Sequence, residues 1–570
     1  MKTWKEQLKD VKRALRDEDV PGEKRGEKAA KVDFDPPKSW LADERSISKR
    51  DGESKGNSHP APIPQMVADR QTGVHDKGAS TIRNTVRQSP TPSVIRSPSD
   101  QPPAPSNWAA TPPVFRPRID GGRTLVMPDW GEAGRSLQHA DRQGGKAAPM
   151  VVRIGVDFGS AFTKVAIRAG VDLVPVDWFA VTGDDSPTGR YLIPGFVAVA
   201  PDGEYCWRRL AETDVRGNLK LSVIELGSSD ECPTATLAYL ALVIRYARAF
   251  LYRHAEVGRK LMSRSLRWEL NIGCPTEPHE KPEVVRVLRR IARTAWRLAA
   301  GDNLRESDIA VAWRTDEAGS GLETEPGVVP EFVAQIAGYL ESPQVTGGLH
   351  ALIDIGAATL DVATFNIVMP TDLDSSPRIP IFFSAVRPLG THYLSYNRHF
   401  LLDLDLKWDD ASPVEPADGF AKQYRKCQSE VDVIDSDFVN RVARCIVGVI
   451  DGTRTNSRGD PQSKAWCEGL PIFVTGGGSG CELYRRAIEA VQIDLRRRLG
   501  ASSRFRFIEL DPLGAKIPHF GVDIGGRLSV AIGLTHDAEN IARVVPHRDI
   551  EPIFQIAKER ADHSEIYGDR

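Results

Sequence analysis

Cysteine, net charge and long apolar runs are all scarce in this chain. Its 570 residues hold seven cysteines, Cys206, Cys232, Cys274, Cys427, Cys445, Cys467 and Cys481, and no two are spaced as CxxC. That spacing argues against a zinc site or a disulfide framework and for reduced thiols. Neither sign of charge dominates: 75 Lys and Arg face 77 Asp and Glu, a formal net charge of −2. No global field therefore indicates nucleic acid or an anionic membrane as a partner. The opening, "MKTWKEQLKDVKRALRDED", has no apolar core of the kind a secretory signal needs. The most apolar helical stretch, "TLAYLALVIRYARAFL", is broken by Arg245 and Arg248 and reads as too short to span a bilayer. A cytoplasmic location is expected.

Proline is the residue present in excess, and it is concentrated at one end. Seventeen of the 40 prolines fall in the first 150 residues, which contain no cysteine. Stretches such as "SPTPSVIRSPSDQPPAPSNWAATPPVFRP" cannot propagate a helix or a central strand and have little to bury. Residues 1–150 are thus expected to be a largely disordered arm. Trp4, Leu8, Val11 and Leu15 fall at helical spacing, which fits either a solvated transient helix or a partner-docking one. "TLVMPDW" (124–130) is a second candidate docking segment.

From Val151 the pattern becomes globular. "VVRIGVDFG", "KVAIRAG" and "LVPVDWF" read as successive strands, and "YLIPGFVAVAPDGEYCWR" as a hairpin around Pro201, Asp202 and Gly203. "ATLAYLALVIRYARAFLYRHAEVG" reads as a long amphipathic helix, and "LRWELNIGCP" as a strand stopped by Pro275. "PEVVRVLRRIARTAWRLAA" and "PEFVAQIAGYLES" read as further helices. "GLHALIDIGAATLDVATFNIV" reads as two strands around a tight turn, and "LPIFVTGGGSG" as a buried strand entering a glycine loop before the helix "CELYRRAIEAVQIDLRRRL". Strands alternate with helices, and each half begins with a hairpin, which argues for an α/β fold with mixed sheets. The predicted divisions are a first lobe at 151–345, a second at 346–545 and a polar tail at 546–570.

Two turns carry the chemistry. "IGVDFGSAFTKVAI" and "ALIDIGAATLDVATF" each end a strand on an aspartate, Asp157 or Asp354, followed by small residues. Gly159, Ser160 and Ala161, like Gly356, Ala357, Ala358 and Thr359, leave backbone N–H groups open to an anion. The carboxylates repel phosphate but can hold a hydrated magnesium ion against phosphate oxygens. Asp361 falls on the same side of its strand as Thr359 and is expected to support that ion. The third element, Gly476, Gly477, Gly478 and Ser479, is either a flexible linker or a loop admitting a sugar and a base edge.

The ordered set "DFGSAFTK", "DIGAATLD" and "VTGGGSG" resembles the phosphate-1, phosphate-2 and adenosine motifs of the actin, sugar-kinase and heat-shock chaperone superfamily. The resemblance covers about residues 151–540, and its smaller matches favour the Hsp70 (DnaK-type) branch. It implies two lobes, each on a ribonuclease-H-like core, with ATP or ADP and Mg2+ between them. "RPLGTHYLSYN" looks like that branch's connecting strand after phosphate 2, and "SVAIGL" (529–534) like its closing helix. The resemblance puts Glu331 near the phosphates and the metal. Lys220 stands either where the family keeps a catalytic lysine or as a solvated loop residue. Asp354 would orient water, Asp157 would lie on the metal side with Asp361 behind it, and Lys220 would face the transferring phosphoryl group.

Departures from the family pattern are specific. Ala357 and Ala358 replace two glycines, and Cys481 falls where an adenine-stacking arginine is usual, with Arg485 one turn on. Only a short segment follows 545, so peptide binding through a chaperone's β-sandwich and lid is not expected. The function these features imply is a slow, magnesium-dependent ATPase that acts as a conformational switch on a protein partner, reached through the arm. The alternatives are a filament-forming bacterial actin, a non-hydrolysing scaffold, and a small-molecule kinase, whose extra catalytic carboxylate is not located.

Overall fold

The computed structural model describes residues 124–135, 149–208, 214–226, 230–261, 264–315, 322, 324–371, 375–404, 414–500, 502–510 and 522–552. The expected helix around Trp4–Leu15, the arm as far as 123 and the tail beyond 552 lie outside the described residues. The first half contributes β1 (Met150–Phe158), β2 (Phe162–Ala169), β3 (Asp172–Pro175), β4 (Ile193–Pro194), β5 (Val197–Val199), β6 (Tyr205–Cys206), β7 (Asp214–Arg216), β8 (Leu266–Cys274) and β9 (Gly327–Pro330). The second contributes β10 (Gly348–Ile355), β11 (Leu360–Ile367), β12 (Arg378–Arg387), β13 (Leu470–Thr475), β14 (Phe505–Phe507) and β15 (Arg543–Val545).

These strands build one plan twice. In the first sheet the order is β3-β2-β1-β8-β9: an antiparallel meander, then two strands parallel to β1. The second sheet runs β12-β11-β10-β13-β14 with the same senses, and β15 adds a parallel strand beyond β12. Central β1 and β10 are flanked on both sides, which accounts for their nearly unbroken burial and apolar runs. Two ribonuclease-H-like sheets in one chain give the two-lobed α/β architecture of the actin-like fold. A small third sheet, β6-β5-β7, holds the hairpin at Gly203, where φ is +80°.

The helices Thr234–Arg253 and Pro282–Leu298 cover the first sheet, and Gln428–Thr455 and Glu482–Leu499 cover the second. The closing helix Val522–Gly533 returns to the first sheet. It comes so close to β1 that a side chain at Gly155 would collide with the Ala531 carbonyl. Its end is tied down by Asn271, whose amide donates to the carbonyls of Leu534 and His536, both at 2.8 Å.

Several expectations change. Residues 124–135 belong to the folded body rather than to an arm running to 150. Leu125 is fully buried, Val126 donates its N–H to the Val181 carbonyl, and Trp130 packs on Tyr246 at 5.0 Å between ring centres. The segment "TLVMPDW" does dock, on its own chain. The helix Thr234–Arg253 is not amphipathic but buried along nearly its whole length, Arg245 and Arg248 included, and its 20 residues exceed the shorter apolar run first read there. "PEFVAQIAGYLES" forms two short helices, Glu331–Gln335 and Ala337–Glu341, broken at Ile336. "RPLGTHYLSYN" is mostly helix, Thr391–Leu401, rather than strand. Residues just past 545 are not a free tail: His547 packs on Phe383 at 4.6 Å, and the Arg548 guanidinium donates to the Glu280 carbonyl at 2.7 Å.

Candidate functional site

The repeated plan sets the two aspartate turns at equivalent places, each closing a hairpin at the end of a central strand. In the first, Asp157 lies opposite Lys164; in the second, Asp354 lies opposite Asp361. One register position thus carries a cation in one lobe and an acid in the other. Lys164 was not singled out from the sequence, although its period-two placement opposite Asp157 follows from the hairpin itself. Its ammonium donates to the buried Asp157 carboxylate at 2.6 Å. Asp157 is therefore already paired within its own hairpin.

Both turns are braced through their carbonyls. Gly159 can carry no side chain, because a Cβ there would run into the Phe162 carbonyl, and the Ala161 carbonyl accepts from Gly195 at 2.8 Å. The carbonyls of Gly356, Ala357 and Ala358 accept from Thr391, His392 and Gly390, at 3.1, 2.8 and 3.1 Å. With carbonyls drawn backwards, the N–H groups of Ser160, Ala161, Ala357, Ala358 and Thr359 meet no protein acceptor among the described residues. That is the donor arrangement an anion requires.

Asp361 makes a contact that its position in the hairpin did not announce. Its Oδ2 accepts from the backbone N–H and the hydroxyl of Thr276, both at 3.0 Å, so this second-lobe carboxylate clasps the turn after β8 in the first lobe. Its other oxygen, Oδ1, is buried with no partner among the described residues. Burial pushes the Asp361 carboxyl up to about 7, with Asp354 and Glu331 adding to it and the Thr276 donors opposing. Neighbouring contacts repeat the bridge between lobes: the Glu277 carboxylate accepts from Val386 N–H at 2.7 Å and from Arg387 at 2.8 Å.

Lys220 is not in a loop. It lies in the first turn of the helix Leu219–Leu226, after Asn218 at φ +57°, and its ammonium reaches Glu331 at 2.5 Å. Glu331 opens its own short helix directly after β9 and packs against Gly273 of β8. Burial alone would lower the Lys220 ammonium, but Glu331, Asp157 and Asp354 together outweigh it and hold the charge in place. Burial, Asp157 and Asp354 push the Glu331 carboxyl up, with Lys220 opposing. Asp354 is also pushed up, by burial first, then by Asp157 against the pull of Lys164 and Lys220. Groups from both lobes thus lie close enough to shift each other's protons.

The glycine loop starts from β13, which pairs in parallel with β10 and ends beside Asp354. Thr475 donates its hydroxyl to Asp354 Oδ1 at 3.3 Å. The three glycines have different reasons. Gly476 has φ +87° and abuts Asp354, and a Cβ on Gly478 would lie 2.5 Å from Ile355 and 2.6 Å from Thr391. Gly477 alone faces open space. Ser479 turns its hydroxyl back onto the Gly476 carbonyl at 2.9 Å, so it fastens the loop rather than facing a ligand. Cys481 caps the following helix, and Arg485, one turn on, lies 3.6 Å from Glu482.

Asp157, Asp354, Asp361 and Glu331 outnumber the two lysines among them, so the cluster carries an excess of buried acid. Among the described residues Asp354 has no lysine or arginine within ion-pairing reach, only the Thr475 hydroxyl. Hard oxygen donors, a carboxylate lacking a cation and the orphaned Asp361 Oδ1 fit a magnesium ion held partly by water and phosphate. No three His, Cys, Asp or Glu side chains among the described residues are grouped to hold a metal by themselves.

No protein-family model matches the chain. No curated protein matches it either. Among solved structures it is similar to MreB 5 of Spiroplasma citri bound to AMPPNP, at 10% sequence identity and a TM-score of 0.35, over 73% of this chain and 98% of that chain. Strand order and register, rather than that likeness, identify the fold.

Proposed function

We propose that the cleft binds ATP or ADP with magnesium, and that the protein is an Hsp70-like nucleotide-driven switch acting on a protein partner. The observation that carries this is the pair of equivalent turns. Each offers unpartnered N–H groups beside a carboxylate, buried in Asp157 and half-buried in Asp354, and the two meet around Lys164 and Lys220. Phosphate oxygens would take the N–H groups of Ser160 and Ala161 from one lobe and of Ala357, Ala358 and Thr359 from the other. Bound magnesium would supply the positive charge that Asp354 lacks. Asp354 then stands as the group that orients water for a slow hydrolysis, with the lysines facing the developing charge. A ligand held from both lobes favours their closed arrangement by its differential affinity for it. The partner would be engaged through the segment preceding residue 124.

Titration calorimetry with ATP, with and without magnesium, tests this. Binding should strengthen at least about tenfold with the metal, since the phosphates otherwise approach an acid-rich cluster. The two lysines should keep metal-free binding measurable. Equal affinity in both conditions would remove the clamp.

A further inference from the structure

We infer that the segment 124–135 is a positioning element for the cleft: Trp130 and Glu132, acting through the helix Thr234–Arg253, hold Lys220 and the Asp157 turn in place. The inference rests on the nucleotide-binding reading for its functional meaning, not for its geometry.

The segment grips the far half of that helix. Trp130 packs on Tyr246 with the rings tilted by 43° and lies under the Arg253 guanidinium, 4.9 Å from the ring centre. Glu132 is the one carboxylate partner of buried Arg245 among the described residues, at 3.3 Å. Arg245 in turn donates to the carbonyls of Ala299 at 3.1 Å and Gly301 at 3.0 Å, at the end of the helix Pro282–Leu298. Gly134 packs so tightly on the Arg245 carbonyl that no side chain fits there, and its own carbonyl accepts from Arg248 at 3.4 Å.

The near half of the same helix touches the site. Thr236 donates its hydroxyl to the carbonyl of Leu219, the residue before Lys220, at 3.3 Å. The Tyr239 ring packs on Phe158, the residue after Asp157, at 6.1 Å. Tyr239 and Tyr246 are seven residues apart, so they share one face, separated along the axis by roughly 10 Å. A buried helix cannot tilt at one end alone, because close packing transmits the displacement. Whatever sets the far half therefore sets the position of Lys220.

Hydrogen exchange on the full chain reads this without nucleotide. Trp130→Ala should speed exchange about tenfold or more in the amides of Leu219–Leu226 and of the paired residues that carry the Asp157 turn, Asp157–Phe158 and Thr163–Lys164, as local opening predicts. Val442→Ala, a core truncation in the second lobe, should leave both unchanged at a matched loss of thermal stability. Glu132→Gln, which keeps size but removes the charge beside Arg245, serves if Trp130→Ala does not fold. Faster exchange confined to 124–135 and 245–253 would overturn the inference. In parallel, ATP affinity should fall in Trp130→Ala and add nothing to the loss caused by Lys220→Ala, since the two act as one unit. If the parent chain binds no ATP, the nucleotide reading fails, while the exchange pattern still decides the positioning role.

Discussion

At the scale of single residues, the glycine loop separates a position that faces open space from those that hold the backbone. Gly477 and Gly478 are adjacent, yet only Gly477 faces open space, while Gly478 is pressed on Ile355 and Thr391. Gly477→Val should leave thermal stability nearly unchanged, within about 0.5 kcal/mol, and abolish nucleotide binding. Gly478→Val should lower the melting temperature itself. Binding by Gly477→Val at parental affinity would move the base and sugar elsewhere. Asp354→Asn should retain ATP and lose about 10²–10³ in turnover, measured as phosphate release under single-turnover conditions. Asp361 gives a pH signature. Its carboxyl is held near 7 in the fold against an ordinary 3.8. The folded state therefore binds the extra proton between those values, and Asp361's contribution to stability declines as pH rises from about 4 to about 7. Asp361→Asn can still accept from Thr276. It should flatten that part of the stability profile measured without divalent cations, and gain relative to the parent at pH 8. An unchanged slope would assign the effect to another group, with Glu280, also pushed up to about 7 by burial, the next to test.

Among the elements, the central hairpins were readable from the chain because apolar strands, an aspartate and small turn residues recur in the same order. What pattern could not supply was partnership. Nothing in "GNLKLSVIELG" says that Lys220 meets Glu331 across more than a hundred positions, and nothing near Asp361 announces Thr276. The 28-residue helix Gln428–Thr455 escaped notice for a physical reason: its Val, Ile, Asp, Asn and Thr content gives weak intrinsic helix propensity, so packing decides it. The segment 124–135 was absorbed into the proline-rich arm because a short apolar stretch with one tryptophan has no periodicity to read. Its docking changes where a stable fragment must begin. Chains starting at 124 should melt cooperatively, whereas those starting at 149 lose the burial of Leu125 alone, roughly 1.5–3 kcal/mol, and leave Arg245 without its carboxylate. Limited proteolysis of the full chain should stop near residue 124; a core starting at 150 and equally stable would contradict this.

For the whole molecule, the repeated sheets explain why contacts between the lobes and the two aspartate turns use the same strands. Asp361, on β11, lies two residues beyond Thr359, so under the proposed function a phosphate drawn onto that turn would pull on the strand that clasps Thr276. The helix Thr234–Arg253 has another consequence, which concerns how the chain is made. It is 20 residues long, its most apolar 18 have a mean hydropathy of 1.3, and it is long and apolar enough to cross a membrane, although 83% of that stretch is buried in the fold. During synthesis that burial does not yet exist, because the helix emerges before β8, β9 and the closing helix that complete its lobe. The segment 124–135, by contrast, has already left the ribosome, since chains emerge from the amino end. Residues carrying Leu125, Trp130 and Glu132 are then at hand to cover an apolar surface that would otherwise compete for lipid or for another nascent chain.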